Sequence, residues 1–75
     1  MISGTSQLDR ARIALHSSPI LALRDLGVQQ TGSSIVISGK VESFYHKQLA
    51  QEAVRAVCQD IELINSVSVT SYDQP

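Results

Sequence analysis

The sequence contains no tryptophan, a single cysteine and only three aromatic residues, Phe44, Tyr45 and Tyr72. With one thiol, Cys58, no intrachain disulfide can form, so stability has to come from packing. The scarcity of aromatics leaves an aliphatic core and excludes the strand-borne aromatic platform on which RNA-recognition motifs stack bases. Six Lys or Arg stand against seven Asp or Glu, a formal charge of −1, and no basic run is available to neutralise phosphates. Binding of nucleic acid is therefore not expected. Clustered glycines are missing as well. Gly27, Gly32 and Gly39 are spread along the chain, which matches neither a phosphate-cradling loop nor the Gly-x-x-Gly loop of a KH domain. No Gly-x-Ser-x-Gly elbow and no pair of carboxylates suggests catalysis, so the expectation is a protein that is not an enzyme. Met1 to Gln7 is polar, and no stretch approaches the roughly 20 apolar residues that span a bilayer, so a cytoplasmic setting is expected.

What remains is 75 residues, 43% of them apolar, enough for one domain with a small core. That core is expected over about 6–70, between short flexible ends. Thr5 or Ser6 can cap a first helix, with Asp9 in its first turn. Leu8, Ala11 and Leu15 form its apolar stripe with Ala14 beside them, and Ile13 falls off it. Pro19 ends this helix, since the residue before a proline is pushed out of helical geometry. Ile20, Leu21 and Leu23 read as an apolar connector broken at Gly27. A short strand over Leu26 to Thr31 turns at Thr31-Gly32-Ser33-Ser34 into a clear strand, Ile35 to Val41, with Ile35, Ile37, Gly39 and Val41 on one face. Ser43 caps a second long helix running to about Cys58, with Leu49, Ala50, Ala53, Val54 and Val57 inward and Lys47, Gln48, Gln51, Glu52 and Arg55 wet. Ile61 to Thr70 returns to a period of two, with Asn65 interrupting an apolar row.

The fold class that follows is α+β, in the order α-β-β-α-β. A helix linking the last two strands makes them parallel neighbours. Both helices must bury their stripes on the same sheet face. The expected architecture is a two-layer sandwich of two helices on a three-stranded mixed sheet, with a mostly polar open face.

This order and several local patterns resemble the BON domain, the bacterial osmotic-stress and nodulation module, in a single copy. The resemblance rests on Ala14-Leu15 at the end of the first helix and on Gly32 before Ile35-Val36-Ile37-Ser38-Gly39-Lys40-Val41. It extends through Ser43, Lys47 and Ala50 to the ending Ile61-Glu62-Leu63-Ile64-Asn65-Ser66-Val67-Ser68-Val69. Asp60 stands where the family usually has glycine. The resemblance covers about 13–70 and makes Leu15, Gly32, Gly39, Val41 and Asn65 its motif positions. It implies a non-enzymatic binding module, one that docks onto protein partners or onto membrane phospholipid, often in the periplasm. It carries no catalytic residues.

Read from the residues themselves, Gly39 inside a strand implies a bulge or a close backbone contact. Asn65 needs hydrogen-bond partners, expected in the backbone of the preceding loop. His16, His46 and Cys58 lack the short patterned spacing of a zinc site, so neither a metal nor a cofactor is expected. Two expectations about partners follow. The first strand carries no Lys or Pro guard, which favours edge pairing with a protein partner or a second copy. Lys47 and Arg55 are the candidate contacts to lipid or partner, with Ile13 the one apolar wedge.

Overall fold

In a computed structural model, residues 6–70 are described; the expected frayed ends and Thr5 lie outside them. Helix α1 spans Gln7–His16, and its N-cap is Ser6, whose Oγ accepts a hydrogen bond from Asp9 N–H at 3.1 Å. The helix ends before Ser17-Ser18-Pro19, and the buried Ser18 then organises the link. Its Oγ accepts from Ile20 N–H at 3.0 Å, and its carbonyl accepts from Arg24 Nε at 2.7 Å. The apolar connector is one helical turn, α2 (Leu21–Arg24), which buries Leu23.

Strand β1 runs Gly27–Thr31 and pairs antiparallel with β2 (Ser34–Ser38). The expected start at Leu26 is one residue early. Leu26 is buried core just before the strand; the connector's helical turn ends at Arg24, and Gly27, expected to break the connector, is the first residue of the strand. Gly32 and Ser33 form a two-residue turn, with Gly32 at φ +60° and Ser33 at negative φ. A left-handed residue at the first central position is the type II′ arrangement, whose twist suits a hairpin.

The long strand expected to Val41 is divided. Gly39, at φ +128°, separates β2 from β3 (Lys40–Val41). A Cβ on Gly39 would lie 2.7 Å from Leu26 Cδ2 and 3.4 Å from Leu26 Cα, so the glycine marks both a left-handed backbone and a close approach. Helix α3 (Phe44–Val57) follows, capped by Ser43 Oγ, which accepts from His46 N–H. It crosses to β4 (Glu62–Asn65), parallel to β2, and to β5 (Ser68–Val69), parallel to β3. The last strand is thus also divided, at Ser66-Val67, opposite the Gly39 break.

The architecture is the α+β sandwich: sheet order β1-β2-β4, extended by the β3-β5 pair, with helices packed against one face. Ala11, Leu15, Leu23, Leu26, Val28, Ile35, Ile37, Val41, Ala50, Val54, Cys58 and Val67 form the core. Leu15 and Val41 of the motif positions lie in it. Val57, expected inward, is exposed instead. It is the last helical residue, and Cys58, leaving helical geometry at φ −136°, takes the buried position while Sγ donates to Gln7 O. No helix among the described residues is long and apolar enough to cross a membrane.

Gly39→Val is expected to destabilise the domain by more than an ordinary surface change, about 1–3 kcal/mol for the backbone alone. Chemical denaturation measures it, and an unchanged midpoint would show that the left-handed backbone carries no strain for a side chain.

Candidate functional site

Two surfaces are built by this arrangement: the edge of β1, which among the described residues pairs only with β2, and a groove between α3 and β4.

The phase of the ladder determines what the β1 edge presents. Ile37, Gly39 and Val41 carbonyls accept from Ser66, Ser68 and Thr70 N–H at 2.8 to 2.9 Å, so the odd-numbered backbone groups of β2 and β3 turn toward β4 and β5. The even-numbered ones turn toward β1, where Ser34, Val36 and Ser38 oppose Thr31, Gln29 and Gly27. By the alternation of an antiparallel ladder, the N–H and C=O of Val28 and Gln30 then point away from the sheet. Two side chains border this window. His16 Nε2 donates to Leu26 O at 3.3 Å, and Gln30 Nε2 donates to Gly32 O at 3.4 Å. No residue of β1 is charged.

The opposite edge is protected. Asn65 Oδ1 accepts from Val67 N–H at 3.2 Å, which bends the chain out of β4 and occupies an outward donor. Glu62 places a charge on that strand, where its Oε1 accepts from Ser34 Oγ at 2.6 Å. Charges and bends are the usual guards of a sheet edge. The two edges therefore differ in kind.

The groove lies beside the protected edge. Phe44, Lys47, Gln48, Gln51 and Asn65 line a space of about 340 Å³. Asn65 Nδ2 donates to Lys47 O at 3.0 Å and to Gln51 Oε1 at 3.2 Å, tying β4 to α3. Its partners are thus the facing helix and its own turn, not the preceding loop. Loop backbone was the wrong expectation because α3, laid across the sheet, brings its carbonyls closer. Lys47, expected wet, is partly buried: it stands three residues before Ala50 and seven before Val54, on the same side of the helix.

Of the two candidate contacts, Lys47 lines this groove beside the motif residue Asn65, while exposed Arg55 lies two turns further along α3 and does not line it. Gly32 is in the hairpin turn and Gly39 at the strand break, away from the groove. Ile13 is exposed as expected, but it is not alone. Phe44 is 75% exposed, Leu21 71% and Tyr45 68%, all more than Ile13 at 57%. Tyr45 opens α3 on the side away from Ala50 and Val54, as helical periodicity from those two core residues predicts, while Phe44 lies on the flank of Gln48 and Gln51 that faces the groove.

His16 and His46 are held by single hydrogen-bonded partners, Leu26 O and Ser43 Oγ. Cys58 is buried, and desolvation pushes its thiol up against an opposite pull from Arg10, which disfavours the reactive thiolate. Among the described residues, no three His, Cys, Asp or Glu side chains gather as metal ligands would.

Against known proteins, no family model and no curated relative matches this chain.

Asn65→Ala removes two donated bonds and one accepted bond at once, and is expected to cost about 1–3 kcal/mol. Faster hydrogen exchange at the Val67 amide should accompany the lower denaturation midpoint; unchanged exchange there would remove Asn65 from its role as the guard of this edge.

Proposed function

We propose that this protein is a non-enzymatic interaction module of the BON type that works by strand addition at the β1 edge. The partner is a protein, with a second copy of the chain the first candidate. The observation that carries this reading is the unequal treatment of the two edges: β4 is bent and charged, whereas Val28 and Gln30 of β1 offer uncharged backbone groups. Added strands gain affinity from main-chain hydrogen bonds, and an edge without charge does not repel another of the same kind. In a two-fold antiparallel pairing about Gln29, Val28 of one copy would exchange bonds with Gln30 of the other. The BON resemblance supports a docking role in general terms. The compartment we propose is the cytoplasm, where a lone thiol such as Cys58 stays reduced.

Gln30→Pro tests the edge directly. Its N–H faces outward, so proline removes an edge donor without breaking the hairpin ladder. Analytical ultracentrifugation at high micromolar concentration should show an association for the wild type that the variant loses, with circular dichroism unchanged. A monomeric wild type rejects self-pairing. Equal recovery of the same proteins by wild type and variant in a pull-down rejects the edge altogether.

A second reading is peripheral binding to phospholipid, favoured by Phe44 projecting beside Lys47 on α3, with Arg55 further along. We rank it lower. Each cation near an anionic surface contributes only about 1 kcal/mol, and stable attachment takes several cations or a larger apolar anchor. Weak or undetectable flotation with phosphatidylglycerol or cardiolipin vesicles at physiological salt is expected. Flotation of most of the protein, abolished by Lys47→Glu with Arg55→Glu, would reverse the ranking.

A further inference from the structure

We propose that the groove between α3 and β4 is a ligand site for an acidic sugar, a pyranose ring carrying a carboxylate. This inference does not depend on the β1 edge. Charge sets the class first. Lys47 is the one ionisable residue of the lining, and among the described residues it has no carboxylate partner; the single salt bridge there joins Arg12 to Asp9. An anionic group is what such a lining favours.

The amides set the rest. Gln51 Oε1 is held by Asn65 Nδ2, which leaves the two Gln51 Nε2 protons free to donate. Gln48 Nε2 donates to Glu52 Oε2 at 3.2 Å, which leaves Gln48 Oε1 free to accept. An oriented donor and an oriented acceptor suit vicinal hydroxyls, each of which both gives and takes a hydrogen bond. Phe44 supplies the third requirement, a ring face at the rim. The electron-rich face of an aromatic ring attracts the polarised C–H face of a pyranose, and Phe44 is left open to do so. At about 340 Å³ the groove is at the small end of ligand pockets, matched to a single sugar residue rather than a larger cofactor.

Titration of the intact ¹⁵N-labelled protein with glucuronate, glucose and acetate, followed by NMR, tests the proposal. Glucuronate should give saturable shifts at the amides of Phe44, Lys47 and Gln51 and at the Gln51 side-chain NH₂. Lys47→Gln should weaken binding roughly fivefold, the upper range for one partly exposed ion pair, and Phe44→Ala should weaken both sugars alike. Phe44 is exposed, and half-buried Lys47 is no part of the core cluster, so spectra of the free variants should remain those of the folded domain. Shifts reproduced in full by acetate would reduce the site to an attraction between charges and overturn the proposal. So would the absence of saturable shifts with glucuronate, or unchanged affinity in the two variants.

Discussion

The parallel ladder that joins the middle of the chain to its end is the interaction on which the rest depends. Ile37, Gly39 and Val41 carbonyls accept from Ser66, Ser68 and Thr70, and the hydrogen bonds continue through the break in both strands. Parallel neighbours cannot be joined by a tight turn, so a long connection has to cross the sheet. Helix α3 is that connection, and packing it on the sheet buries Ala50 and Val54 in one core with Ile35 and Ile37. Helix α1 then covers what α3 leaves open, with Ala11 and Leu15 fully buried beside it. Gly39 makes this ladder feasible. It lets the strand shift direction at φ +128° while passing so close to Leu26 that a side chain there would have to displace Leu26 Cδ2.

The same ladder determines which surfaces are available for binding. Because β2 lies between β1 and β4, the sheet has two outer edges, and the chain treats them differently. Asn65 couples the β4 edge to α3 and to Val67, so that edge becomes one wall of a groove. The β1 edge keeps its backbone groups and carries no charge. The edge and the groove, for which an interaction role and an acidic-sugar ligand are proposed, thus sit on opposite sides of one small sheet. A module of this size has little interior to spare, since nearly every buried aliphatic is needed for the core. Recognition at an edge and in a surface groove is what such a domain can offer without hollowing itself out.

Much of the fold was legible in the residues. The period of two that sets Ile35, Ile37 and Val41 against Val36, Ser38 and Lys40, the cap at Ser43 and the stripe through Ala50 and Val54 are each local features of the sequence. Their order dictates the parallel crossover and hence the sandwich. Gly39 and Asn65 stood out because each violates the pattern of its own strand, and both prove to be points where another element approaches closely. What the residues alone could not settle is which element does the approaching. Leu26 against Gly39, the Lys47 carbonyl over Asn65, Cys58 Sγ on Gln7 O, and the orientation of Gln51 are all contacts between segments distant in sequence. Sequence determined the elements and their order, because periodicity and capping act within a few residues. Only the tertiary structure decided the breaks in the strands, the guarded edge and the groove, because those arise where helix and sheet meet.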